Sequence, residues 1–299
     1  MASTQTNPLP SIPTTAPMQL ASFEEQWNFI KTGIDYQLDS GFNLPPADHA
    51  NVYSTVWNCL TCGNRIRDSP ENAGTRLYAE LTSYFARYLT SLKHEKFSNL
   101  QGTDLLQTYA SEWSRFTTNS RKVNGLLGYL NRYWVQAQRM EIEQKSGTGI
   151  VYTVDAMALA QWREHILLAI QEDNEKLTTA IINLVIQHPT AESTEGVLVK
   201  QVLDSFATLG FTPEDPKEEN PRIYKEHFEE PFLKTLGLKG GSSTTTSAPD
   251  KNEVISNYLA WVKARFEEHK SLGQGYLHSS TEDIFKSAMG LGEVTENNA

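Results

Sequence analysis

Apolar residues recur at three- and four-residue intervals along most of this chain, with polar residues between them. That is the period of helices buried along one side. Ser22 is a natural N-cap, and Glu25 three residues later completes a capping box. Phe23, Trp27, Ile30 and Ile34 then predict a first helix running to about Asp39, where SGFNLPP breaks it. Asp48 is a candidate N-cap for a second helix to about Cys62, with Val52, Tyr53, Val56, Trp57 and Leu60 apolar. The polar stretch 63–74 reads as a loop. A third helix carries Leu77, Leu81, Tyr84, Phe85, Tyr88, Leu89 and Leu92. A fourth runs from about Thr103 to Thr118 with Leu106, Tyr109 and Trp113. The fifth opens with Lys122–Val135, KVNGLLGYLNRYWV, and continues as a polar helix to about Gln144.

KSGTG at 145–149 closes this first unit of five helices, and a second set follows. Helices are predicted over Asp155 to about Ala169, Leu177 to His188, and Val197 to Leu209. Tyr224, Phe228 and Phe232 are spaced by four, as one helix face requires. Glu253–His269 and about Thr281–Met289 complete the set. No run alternates as a strand does, and no hairpin dipeptide joins strand-like runs. The expected fold is all-α, two stacked five-helix units. Their limits are 21–149 and 150–290, with a Pro/Thr/Ser-rich disordered tail at 1–20, a Gly/Ser/Thr-rich flexible insert at 238–250 and a divergent tail at 291–299.

The fifth helix has one apolar stripe more than burial in a small bundle needs. At 100° per residue, Val123, Leu127, Leu130 and Trp134 form one stripe. Leu126, Tyr129 and Tyr133 form its neighbour, edged by Arg132. Two readings fit. Both stripes are core, if the helix sits in the middle of a bundle; or the second, large and aromatic, is a protein-binding hot spot. The second helix is also over-wide: His49, Val52, Val56 and Cys59 share one arc, and Tyr53, Trp57 and Leu60 the next. Two such helices in one unit suggest a shared exposed patch. The tryptophans Trp27, Trp57, Trp113, Trp134, Trp162 and Trp261 are each expected in the core.

Composition narrows the function. The net charge of −10 argues against nucleic acid, which needs a basic footprint, and against an acidic membrane surface. No apolar run approaches the roughly 18 residues of a membrane span. Cys59 and Cys62 are the only cysteines, so no disulfide framework is plausible and a reducing compartment, cytoplasm and nucleus, is expected. Their CxxC lacks the second pair that structural zinc usually needs, and it lies late in a helix rather than at a strand-to-helix turn. It reads as two ordinary helix cysteines. No HExxH, phosphate-cradling glycine loop or GxSxG is present among the seven histidines and the glycines. Glu172-Asp173 and Glu229-Glu230 read as solvated helix faces. No cofactor, metal or catalytic set is expected.

The pieces FEEQWNFIKTGI, VYSTVWNCLT, GTRLYAELTSYFARYL, ALAQWREHIL and YKEHFEEPFL, and above all NGLLGYLNRYWV and YLHSSTED, resemble the N-terminal half of a cullin, with the SCF type the most similar. The similarity runs from about Phe23 to Met289. It implies a rigid, non-catalytic scaffold of a cullin-RING E3 ubiquitin ligase, an elongated stalk of five-helix cullin repeats. In such scaffolds helices two and five of the first repeat hold a BTB/POZ-fold, Skp-type adaptor that carries an F-box receptor. An exchange factor that removes idle adaptors also wraps the scaffold.

Carried over position by position, the resemblance assigns adaptor contacts to Tyr53 with Val52 and Val56, and to Tyr129 with Leu126. His49 stands where an aromatic is usual, Tyr133 where histidine is common, and Arg132 lies between Tyr129 and Tyr133 on the chain. The third repeat and the C-terminal half, which binds the RING-box protein, are not matched. The expectation is therefore a truncated gene product, a mispredicted gene model or a fragment, with no RING-box protein as partner, and a second reading is a competitor that sequesters adaptor. A helical interaction or trafficking protein unrelated to ubiquitin is the third.

Overall fold

The computed structural model describes residues 15–19, 21–40, 42–62, 73–145, 149–187, 193–211 and 222–235. All regular structure among them is helical. Most of the 1–20 tail and of the 63–74 loop, the 238–250 insert, the predicted helices Glu253–His269 and Thr281–Met289, Trp261 and the 291–299 tail lie outside the described residues.

Helix α1, Phe23–Ser40, starts at the predicted capping box: Glu25 N donates to Ser22 Oγ at 3.3 Å, and Ser22 N to Glu25 Oε2 at 2.9 Å. Helix α2 spans Pro46–Cys62. It begins two residues before Asp48, because proline at the first helical position forfeits no hydrogen bond and already has helical φ. Helix α3, Ala73–Phe97, takes in Gly74, which the sequence reading put in the preceding loop. Helix α4 runs Gly102–Leu126, so the predicted break between Thr118 and Lys122 does not exist. The tract TTNSRK holds no Gly or Pro, and its polar side chains find partners. Asn119 Nδ2 donates to Leu38 O at 3.2 Å, and Ser120 Oγ to Thr117 O at 3.2 Å. The irregularity comes later, as a π-helical turn at Leu130–Val135 that leads into α5, Gln136–Gln144.

Helix α6, Val154–Trp162, is capped by Thr153, whose hydroxyl accepts from Ala156 N at 3.4 Å. It passes through a π-helical stretch, Arg163–Leu168, into α7, Ala169–Gln171. Then come α8, Lys176–Gln187, and α9, Thr194–Leu209, capped by Ser193. Helix α10, Arg222–Tyr224, continues through a third π-helical turn, Lys225–Glu229, into α11, Glu230–Thr235.

The chain divides into two compact units, Met1–Ser98 with Ser111–Ala169, and Asn99–Ala110 with Ile170–Ala299. In the first, the core is built from Ile30, Ile34 and Leu38, from Leu77, Leu81, Phe85 and Leu89, and from Phe116, Val123 and Leu130, with Trp162 fully buried against Phe116 at 5.0 Å. The last carbonyls of α1 would be orphaned in that core. Arg115 Nη1 donates to Leu38 O at 2.7 Å, while its Nε holds Glu112 and its Nη2 reaches Tyr88 Oη. In the second unit Phe206, Leu209, Phe228 and Phe232 are buried, and Tyr109 shares a hydrogen bond with Ser205 at 3.1 Å. Gln171 Nε2 donates to Thr178 Oγ1, which donates to His227 O. Phe228 stacks on Phe232 with centroids 5.3 Å apart, as their spacing predicts. Glu172 and Asp173 are exposed, but Glu229 is buried, against the expectation of a solvated acidic pair. It ends a π-helical turn, where the extra residue per turn rotates side chains away from their α-helical direction.

Candidate protein-binding site

The eight residues singled out by sequence lie on two segments of the first unit. His49, Val52, Tyr53 and Val56 are on α2; Leu126, Tyr129, Arg132 and Tyr133 run from the end of α4 into the π turn. Val123, Leu127, Leu130 and Trp134 are all in the core, as their stripe predicts. The second stripe divides. Leu126 is fully buried, and so are Val52 and Val56, so none of the three is on the surface where the sequence reading placed it. The reason is α1. A Cβ on Gly33 would lie 2.9 Å from Val52 Cγ2 and 3.4 Å from Leu126 Cδ2, so the bare backbone at Gly33 lets α1 cover both side chains.

The remaining five reach solvent. His49, Tyr53 and Tyr129 are half-buried, Arg132 is exposed, and Tyr133 is 53% exposed. The three tyrosines form one cluster. Tyr53 meets Tyr129 edge-on, with centroids 6.4 Å apart and planes at 85°. Tyr129 meets Tyr133 at 4.3 Å and 33°. Each such pair contributes about 0.5–1.5 kcal/mol beyond the area it buries, so the rings are held in place before any partner arrives. Trp57, one helical turn beyond Tyr53, is 40% exposed rather than in the core. Its arc, shared with Tyr53, was already wider than burial needs. Arg132 has no ion pair among the described residues. The surface thus offers apolar area, phenol hydroxyls and a free guanidinium.

The π turn positions the cluster. Gln136 N donates to Asn131 O, five residues back. Inside the turn, Asn131 Nδ2 donates to Asn124 Oδ1 at 2.7 Å, and Asn131 Oδ1 accepts from Val154 N at 2.9 Å. Asn124 Oδ1 also accepts from Asp155 N at 3.2 Å. Two amide side chains thereby satisfy donors that the start of α6 would leave orphaned. Behind the turn Trp134 packs on Tyr78 at 4.8 Å, and a Cβ on Gly74 would overlap its indole. Tyr78 Oη accepts from Tyr152 N at 2.9 Å. The sequence reading missed this asparagine clamp. Its one visible trace is the pair of asparagines seven residues apart, two turns along one face.

Residues 27–290 match the family model of the cullin alpha solenoid domain. The chain belongs to the cullin family. It is similar to Cullin-1 of Schizosaccharomyces pombe, 29% identical over a 270-position alignment that covers 87% of this chain and 34% of the relative. It is similar to Cullin-1 of Caenorhabditis elegans, 25% identical over a 285-position alignment that covers 86% of this chain and 35% of the relative. Cell division control protein 53 of Saccharomyces cerevisiae is 26% identical over a 234-position alignment that covers 71% of this chain and 27% of that protein. The chain spans about a third of the length of these relatives. The all-helical architecture of the described residues is that of a cullin solenoid.

Other sequence features of this cullin chain have structural fates of their own. Cys59 is buried near the end of α2, and burial pushes its thiol up to about 12. That is the reverse of a reactive thiolate. Among the described residues no three His, Cys, Asp or Glu side chains are grouped to hold a metal, and no helix is long and apolar enough to cross a membrane.

Proposed function

We propose that this chain is a non-catalytic scaffold segment of an SCF-type cullin-RING E3 ubiquitin ligase, acting in ubiquitin-dependent protein degradation in the cytoplasm and nucleus. Its first unit binds a BTB/POZ-fold, Skp-type adaptor that carries an F-box receptor, and the exchange factor shares the same scaffold. The observation that carries the reading is the tyrosine cluster of half-buried Tyr53 and Tyr129 with exposed Tyr133, on two neighbouring segments of the first unit. Preformed aromatic rings with an arginine at their edge are the composition of a binding hot spot. The buried Val52, Val56 and Leu126 belong to the core of the unit rather than to the adaptor face.

The test is calorimetric titration of the chain with a purified Skp-type adaptor bound to an F-box protein. Tyr129→Ala should weaken binding by about 2 kcal/mol or more, and Tyr53→Ala with Tyr129→Ala should abolish it under the same conditions. Unchanged affinity in the double variant would sink the site. No binding by the unaltered chain would sink the function.

A further inference from the structure

A short strap, residues 15–19 and Ala21, precedes α1 and is tied to it. Ala21 N donates to Met18 O at 2.9 Å and closes a turn. The buried Gln26 then holds the strap from the helix: its Nε2 donates to Ala21 O at 3.1 Å and to Gln19 O at 3.5 Å. Strap and helix border a groove of about 680 Å³. Pro17, Met18 and Ala21 line it from the strap, and Asn28, Phe29 and Thr32 from one face of α1. Met18 is 85% exposed although the backbone on either side of it is held.

The chemistry of the groove selects its ligand. Among the described residues its one carboxylate is Glu25, and Ser22 N and Oγ both donate to that group at 2.9 Å. The rest of the lining is neutral, apolar side chains with the exposed Asn28 amide at their edge. Such a groove suits an uncharged extended segment whose backbone the amide can hydrogen-bond. Residues 1–14 join the strap at Thr15 and carry no ionisable side chain; within them lies NPLPSIP, at 7–13. Polyproline II has three residues per turn, so in that form Pro10 and Pro13 share one ridge, and Leu9 and Ile12 the next. Leu9 to Pro13 is then about 12 Å long, against about 10 Å from Glu25 to Thr32 along α1. The tether supplies the segment at an effective concentration on the order of millimolar.

We propose that the groove is a binding site for an uncharged, proline-containing extended peptide, and that its occupant is this chain's own segment 7–13, folded back at residues 13–15. Leu9 and Ile12 cover Met18 and the apolar wall, and the Asn28 amide holds the segment's backbone. The bound segment keeps the groove closed to other peptides of the same kind.

The experiment uses the full chain and reads hydroxyl-radical oxidation at Met18 by peptide mass spectrometry. Leu9→Asp with Ile12→Asp puts charge on the segment, and Asn28→Arg puts it in the groove. Each should speed Met18 oxidation by about twofold or more, since a segment bound even half the time halves the open population. All three altered together should be no faster than either alone, because both changes break one contact. Asn28 is exposed, so thermal melts of Asn28→Arg should match those of the parent chain. Equal Met18 rates in parent and variants overturn the proposal. A faster rate in Asn28→Arg alone means that another segment fills the groove, which overturns the assignment to 7–13. A faster rate in the Leu9 and Ile12 variant alone overturns the groove as its site. Protection that fades as the parent chain is diluted gives the segment to a second copy and overturns the intramolecular assignment.

Discussion

Asn131 shows how one side chain serves both the core and the surface. Its amide holds Val154 N–H at 2.9 Å and Asn124 at 2.7 Å, while its neighbours Arg132 and Tyr133 face solvent. Asn131→Ala should lower stability in urea melts by about 1–3 kcal/mol, the cost of leaving a buried donor without a partner. It should also weaken adaptor binding, since the π turn would lose its tie to α6. Asp155 supplies a pH signature in the same place. Burial raises its carboxyl above the ordinary 3.8, with Arg121 pulling the other way. A carboxyl that holds its proton more tightly when folded favours the fold below that ordinary value. That contribution is lost as pH rises through the higher folded value. Asp155→Asn should therefore gain stability relative to the parent chain as pH rises above the ordinary 3.8, with the gain read from denaturant midpoints at each pH.

At the scale of elements, the helical run from Gly102 to Gln144 is organised by its one irregularity. The π turn at Leu130–Val135 adds a residue to the turn, which sets Asn131 against α6, Trp134 against Gly74 and Tyr133 outward. Two glycines on these helices behave oppositely. Gly74→Ala would force a methyl into the Trp134 indole and should cost about 1–3 kcal/mol, as overpacking does. A Cβ at Gly125 would meet nothing within 4 Å. Gly125→Ala should raise stability by about 0.4–1 kcal/mol, by restricting the unfolded chain. Paired thermal melts of the two variants check both signs at once.

For the whole molecule, the first compact unit carries the proposed partner surface, and the second has an aromatic core of its own. A partner that binds the folded chain stabilises it by mass action, about 2.7 kcal/mol at a hundredfold excess over Kd. With the adaptor complex present, hydrogen exchange should slow in α2, the end of α4 and the π turn. Slowing confined to Asn99–Ala110 and Ile170–Thr235 would place the partner on the other unit and overturn the proposed surface.

Helical periodicity, the capping box at Ser22 and the four-residue spacing of Tyr224, Phe228 and Phe232 were all legible in the sequence. They depend on local geometry, which i, i+3 and i+4 patterns record. The motifs NGLLGYLNRYWV and YLHSSTED were enough to point to the cullin family, and the over-wide faces of the second and fifth predicted helices marked where to look for a site. Tertiary structure decided which part of those faces is open. Leu126 and Tyr129 lie on one predicted stripe, yet α1 closes over Leu126 at Gly33 and leaves Tyr129 half-exposed. Val52 and Val56 are covered where Trp57 is not. A helical wheel gives directions about one axis and says nothing of where a neighbouring helix lies. The asparagine clamp was hidden for the same reason, since it joins Asn124 and Asn131 to the backbone of Val154 and Asp155, more than twenty residues further along the chain.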